Sequence, residues 1–227
     1  MCKPALSNQR EMEGLLKPDT VDPLFVSLFG LIGAGKTTLA KALAKELNVQ
    51  FYGEPVEKNP YLERFYADMG ANGFPMQIWL LTARFAQHLQ MTWTGGVQDR
   101  SIYEDQVFAR ALVQMGHIRP LDYDTYVRAF KIMQNQMKNP HFLVYLDIKP
   151  ETALARIRSR GRKCEAGITL DYLKRLHAGY ETLVKEISKT ITVFRVPYEK
   201  FKSGEEMART VKERWDAVSH VQDVVME

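Results

Sequence analysis

With 227 residues, 45% of them hydrophobic and 26% charged, the chain has the composition of a globular protein with room for one substantial domain. A formal net charge of +4 favours anionic ligands, yet without a localised basic patch it does not argue for nucleic acid. Two cysteines, Cys2 and Cys164, exclude a disulfide framework; no apolar run is long enough for a membrane span or a secretory signal, so a cytoplasmic protein with neither nucleic-acid nor membrane partner is expected.

In chain order, residues 1–22 read as a flexible N-terminal tail. PLFVSLFG (23–30) is a continuous apolar run and predicts a buried central strand. A glycine-rich turn follows, then TLAKALAKELN (38–48), with the apolar spacing of a helix. VQFYGEPV (49–56) predicts a short strand with a polar end. Residues 60–69 predict a helix that the MGANG stretch (69–73) breaks, and a second, Trp-bearing helix runs from Pro75 to Met91. TGGVQD (94–99) is a turn and short strand; helices over 102–115 and 122–137 leave Pro120 and Pro140 outside. FLVYLDI (142–148) is a second apolar strand and Pro150 opens a helix. RIRSRGRKCEAG is too basic and glycine-interrupted for a plain helix. A helix over 170–188, a strand over 190–197 and a helix over 203–220 complete the chain, with Trp93 and Trp215 read as structural. Strands separated by helices imply an α/β fold, a parallel sheet covered on both faces. Its sites belong at the carboxyl ends of the strands, where Gly30, Glu54, Asp99 and Asp147 fall.

GLIGAGKTT (30–38) fits G-x-x-x-x-G-K-[ST] between the strand and the helix. Gly30 allows the sharp turn; Gly33, Ala34 and Gly35 bring backbone N–H groups around phosphate oxygens; Lys36 reaches the β- and γ-phosphates. Thr37 and Thr38 supply hydroxyls, Thr37 for Mg²⁺. ATP or GTP fits this pattern, but no N-K-x-D segment is present to read guanine. A compact small-molecule kinase and a regulatory nucleotide-binding protein both remain open.

A phosphoryl acceptor needs a base, a metal held at the phosphates, and positive charge over the transfer. Glu54 follows one short strand, and Asp99 and Arg100 another; RIRSRGR supplies four arginines in seven positions. Asp147, ending an apolar strand, is by pattern alone the acid expected at Mg²⁺.

The set GLIGAGKT, EPV, FPMQIWLLTAR, DRSIYED and RIRSRGRKCEAGI resembles the deoxynucleoside kinases, in the same order, from about residue 24 to 200. NPYLERFY and DRSIYED look most like the bacterial-type deoxyadenosine and deoxyguanosine kinases. The resemblance implies a P-loop NTPase-like three-layer fold with a five-stranded parallel sheet, helices on both faces and an arginine-rich lid at about 156–168. It implies one kinase domain over 23–227, usually paired as a homodimer. The implied reaction, with ATP and Mg²⁺, is phosphorylation of the 5′-hydroxyl of a deoxynucleoside in nucleotide salvage.

By the same resemblance Glu54 is the general base and Arg100 contacts the 5′-oxygen and holds that base. Asp99 is a metal acid, one methylene shorter than the Glu of many animal members, so its contact to Mg²⁺ runs through water. Gln77 reads the nucleobase, Arg84 pairs with Asp105, whose carboxylate accepts from the amino-bearing edge of adenine or cytosine, and Tyr66 and Glu165 grip the 3′-hydroxyl. Arg156, Arg160 and Arg162 close over ATP, and Arg160 and Lys36 act on the transferring phosphoryl group. Cys164 stands in the lid where some relatives carry an acid. Phe108, Trp79 and Met69 are expected at the base pocket. The implied substrates are deoxyadenosine and deoxyguanosine, then deoxycytidine. The alternatives are a thymidine-preferring or broad-range enzyme, a nucleoside monophosphate kinase, or a silent regulatory subunit.

Overall fold

The structure, a computed structural model, describes residues 22–55, 59–199 and 203–219. Residues 1–21 of the tail expected at 1–22, and Val56 at the end of the second predicted strand, lie outside the described residues. Five strands, β1 (Phe25–Gly30), β2 (Phe51–Tyr52), β3 (Gly96–Gln98), β4 (Phe142–Asp147) and β5 (Val193–Pro197), form one sheet in the order β2-β3-β1-β4-β5. All pairings are parallel, with Phe25 opposite Gly96 on one side of β1 and Gly30 opposite Leu146 on the other. The strand order turns back at β1, which opens a crevice beyond its carboxyl end.

The two apolar runs become the two central strands for the reason their sequence suggests. β1 is buried throughout and β4 in all but its last residue, as in a sheet covered on both faces. On one face the Tyr180 ring lies 6.2 Å from Phe29 and 5.9 Å from Tyr145. On the other, Phe142 meets Phe194 at 5.2 Å and Trp215 at 4.7 Å. The covering helices are α1 (Lys36–Glu46), α2 (Leu62–Ala67), α3 (Met69–Thr94), α4 (Asp105–Gln114), α5 (Pro120–Gln134), α6 (Pro150–Arg160), α7 (Leu170–Ile187) and α8 (Gly204–Ser219). No helix among the described residues is long and apolar enough to cross a membrane.

Several boundaries differ from the sequence reading. MGANG does not break a helix; it is the first turn of α3, because the Asp68 carboxylate accepts the Ala71 N–H at 3.0 Å and caps it. Pro75 lies inside that helix. The helix expected over 102–115 begins as a 3₁₀ turn (Ile102–Glu104) started by the Ser101 hydroxyl, and becomes α4 only at Asp105. Pro120 is in the first turn of α5 rather than outside it, where its missing N–H costs nothing. The basic stretch is plain helix as far as Arg160 and stops at Gly161, whose φ is 65°. Trp93, expected to be structural, is 84% exposed.

Candidate active site

The loop from β1 into α1 turns through Gly30 at φ 139° and Gly35 at φ 94°. A Cβ on Gly30 would sit 2.6 Å from the Leu146 carbonyl oxygen, and one on Gly35 would sit 2.9 Å from the Tyr198 ring, so both positions need glycine. No side chain caps the first N–H groups of α1, which leaves that positive helix end for an anion. Lys36 is buried, its ammonium donating to Gly30 O at 2.9 Å and Leu31 O at 2.8 Å. Burial, reinforced by the Arg100 charge, pushes its pKa down to about 8. The Thr37 hydroxyl donates to Asp99 Oδ2 at 2.5 Å. Ala34 is buried in the loop and Thr38 is exposed beside it.

Behind the loop runs an alternating chain of charges, Asp105–Arg84–Glu54–Arg100–Glu104. Arg84 Nη2 lies 2.7 Å and Arg100 Nε 2.8 Å from the same Glu54 oxygen. Arg84 also meets Asp105, and Arg100 Nη1 is 3.1 Å from Glu104 Oε2. Burial favours a neutral Glu54, but Arg100, Arg84 and Lys36 outweigh it and hold the carboxyl below the usual range. Burial likewise opposes the Arg100 charge, and Glu104 and Glu54 overcome it, so its pKa is raised.

A cavity opens along this chain, with Glu54, Tyr66, Gln77, Arg84, Arg100, Arg162 and Glu165 on its wall. The structure therefore gathers residues spread over more than a hundred positions of sequence. Gln77 Oε1 is buried with no hydrogen-bond partner among the described residues, an acceptor that a ligand donor would satisfy. Phe108 lines the cavity as expected; Trp79 and Met69 pack against the core instead. Asp105 is fully buried behind Arg84 rather than on the wall, so its contact is with the arginine.

The three arginines expected over ATP divide. Arg156 reaches the glycine-rich loop, donating to Ala34 O at 3.3 Å and Tyr198 O at 2.7 Å with its guanidinium 4.7 Å from the Tyr198 ring. Arg160 clasps both Glu165 oxygens at 2.8 and 2.6 Å, and Arg162 lies 3.5 Å from one of them. Glu165 thus joins this stretch to the cavity wall. Asp147, the acid expected at Mg²⁺ from strand pattern alone, is held by Arg195 at 2.8 Å with His177 3.7 Å away.

Sequence reasoning missed Glu104, Tyr172 and Tyr180. Tyr172 lines the cavity, and the Tyr180 hydroxyl donates to Glu104 Oε2. Glu104 stands in the same DRSIYED stretch that yields Asp99, Arg100 and Asp105. A carboxylate in an otherwise apolar 3₁₀ turn was the available signal.

The family described as deoxynucleoside kinase matches residues 26–222. Over 226 residues the chain is 39% identical to a deoxyadenosine kinase of Dictyostelium discoideum, covering 99% of this chain and 91% of that one. It is 38% identical over 164 residues to a deoxyadenosine/deoxycytidine kinase of Bacillus subtilis, across 70% of this chain and 76% of that one. A solved structure of deoxyadenosine kinase from M. mycoides with bound dCTP superposes with a TM-score of 0.76 at 31% identity, covering 84% of this chain and 100% of that one.

Proposed function

Because the chain belongs to the deoxynucleoside kinase family, we propose that it transfers the γ-phosphoryl group of ATP to the 5′-hydroxyl of a purine deoxynucleoside in nucleotide salvage, with deoxycytidine as a further substrate. The observation that carries this reading is the Glu54 carboxylate, fixed by Arg84 and Arg100 on a cavity wall beside Lys36. In the reaction the 5′-hydroxyl oxygen forms a bond to the γ-phosphorus, the bond to the ADP oxygen breaks, and the hydroxyl proton passes to Glu54. That proton leaves late in a loose transition state, so the orientation of Glu54 matters more than a raised basicity.

The remaining residues take roles around that step. Gly30, Gly33, Ala34, Gly35, Lys36, Thr37 and Thr38 form the phosphate loop, and Tyr66 and Glu165 hold the 3′-hydroxyl. Gln77 faces the base with its unpartnered amide oxygen, while Asp105 orients Arg84. Thr37 and Asp99 present a hydroxyl and a carboxylate oxygen side by side, a hard donor pair that fits Mg²⁺. Bound with ATP, that ion would neutralise phosphate charge. Arg156, Arg160 and Arg162 belong to a lid over about 156–168, in one catalytic unit over 23–227 that works in the cytoplasm as a homodimer. The purine preference is supported by the relatives named deoxyadenosine kinase, and the deoxycytidine activity by the Bacillus subtilis enzyme.

The test is phosphorylation of a nucleoside and nucleoside monophosphate panel by purified protein with ATP and Mg²⁺. Deoxyadenosine or deoxyguanosine is expected to turn over fastest. Thymidine as best substrate would overturn the base preference alone. Turnover of monophosphates only would replace the acceptor class, and a chain that binds ATP without any turnover would be a regulatory subunit.

A further inference from the structure

We propose that Glu104 is a positioning residue for phosphoryl transfer, holding Arg100, and through it Glu54, in the reacting orientation; the idea rests on the kinase reading above. Glu104 is fully buried. An ionised carboxylate there is costly unless its partners are well placed, so its surroundings have to be built around it. On one side they are: Oε2 collects donors from separate parts of the fold, while Oε1 is buried with no hydrogen-bond partner among the described residues. Gly30 N–H, at the end of β1, lies 3.3 Å away; Arg100 Nη1 lies 3.1 Å away; and the Tyr180 hydroxyl donates from α7. Glu104 therefore ties the first glycine of the loop, the arginine beside the base and the helix over the sheet to a single atom.

Arg100 gives the independent observation. Its φ is 106°, a conformation that a residue with a side chain rarely adopts. Such strain costs on the order of 1–3 kcal/mol and survives only where neighbours over-determine it, commonly at functional sites. The neighbours here are Glu54 at 2.8 Å, Glu104 at 3.1 Å, the Tyr180 hydroxyl at 3.5 Å and the Phe108 ring at 5.1 Å. Glu104 is the member of that set which bears charge and is sealed from the cavity.

The charge alternation explains why the reaction needs it. When Glu54 accepts the hydroxyl proton it becomes neutral, and both flanking arginines lose an anion at that moment. Arg84 keeps Asp105 and Arg100 keeps Glu104. The guanidinium of Arg100 consequently stays aimed at the 5′-oxygen instead of turning toward other acceptors. Such preorganised charge is worth most where no reorganisation accompanies the transfer.

Steady-state kinetics of Glu104→Gln, Glu104→Asp and Tyr180→Phe on the best nucleoside of the panel tests this. Glu104→Gln keeps the shape and removes the charge; kcat is expected to fall about 10- to 100-fold, with KM for nucleoside and for ATP within about threefold of wild type. Glu104→Asp keeps the charge but shortens its reach, and the same pattern is expected should the Gln variant not fold. Tyr180→Phe leaves both charge and reach but removes one donor to Oε2, so kcat is expected to fall less than in either Glu104 variant. Normal kcat in both Glu104 variants overturns the proposal. So does a loss that appears mainly as raised KM for both substrates and is matched by Tyr180→Phe, because that is the mark of packing. A wild-type protein without activity on nucleosides removes the kinase reading and this inference together, whereas an active wild type with equally active variants removes only the role of Glu104.

Discussion

The proposed reaction asks two things of Glu54 that its surroundings set against each other. The two arginines that fix it also stabilise its anion, which makes it a weaker base than a free carboxylate. The compromise works only if the proton moves after most of the phosphoryl transfer, when the acceptor oxygen has become acidic. Glu54→Gln keeps the size and one acceptor oxygen but cannot take the proton. We expect kcat to fall by roughly 10²- to 10⁴-fold with the dissociation constant for ATP nearly unchanged, since the proposal has ATP held by the loop rather than by Glu54. Single-turnover rates beside equilibrium ATP binding check this, and near-normal turnover would remove Glu54 from its role. At this scale the sequence was informative wherever spacing fixes chemistry, as for Lys36 and Thr37. It was silent about Glu104, because a lone acid in DRSIYED does not disclose which backbone N–H or phenol it will meet across the fold.

Elements were legible in proportion to how local their causes are. β1 and β4 are apolar throughout and needed no partner to be recognised. α3 was misread because the signal from MGANG competed with a single cap, Asp68, and the cap prevailed. Gly73 fits there for a tertiary reason: a Cβ would lie 3.4 Å from both the His117 carbonyl oxygen and Ile118. β2 shrank to Phe51–Tyr52 since its length depends on β3 beside it, itself only Gly96–Gln98. The loop at the end of β1 offers the sharpest test of element geometry. Gly30 combines φ 139° with a Leu146 carbonyl oxygen 2.6 Å from where a Cβ would stand. Gly30→Ala has to push β1 from β4 at their carboxyl ends, so about 1–3 kcal/mol of stability is expected to be lost. The displaced loop should bind ATP at least about tenfold more weakly. Urea unfolding and nucleotide titration on the same sample would show both, and an alanine variant with wild-type ATP affinity would mean that the loop does not depend on this turn.

Across the whole molecule, a strand order that turns back at β1 brings the ends of β1, β2 and β3 together, and the loops after them carry Lys36, Glu54 and Asp99. That convergence follows from alternating strands and helices and could be read from sequence; the packing between the strand ends could not. Asp147 shows the limit: the strand pattern placed it correctly at the edge, but Arg195 on the neighbouring strand decides where its carboxylate goes. Convergence also concentrates charge, and Lys36 bears a measurable consequence. Its ammonium is buried, with a pKa of about 8 against an ordinary 10.5. Below about pH 8 both folded and unfolded chains keep the proton, so the folded state carries the full burden of the buried charge. Between that pH and the ordinary lysine value the unfolded chain holds the proton and the folded chain does not, so stability attributable to Lys36 rises with pH. Lys36→Met leaves the Gly30 and Leu31 carbonyls without their donor, which sets the absolute stability difference between the two proteins but not its slope. From pH 7 to about pH 10 the difference should move in favour of wild type by up to about 3 kcal/mol. Urea midpoints of both proteins at the two pH values measure it. Saturating ATP should abolish the trend, because a polyphosphate beside Lys36 favours its charged form at either pH. A difference that stays flat without nucleotide would mean that Lys36 is fully charged throughout and its burial is compensated by its own loop.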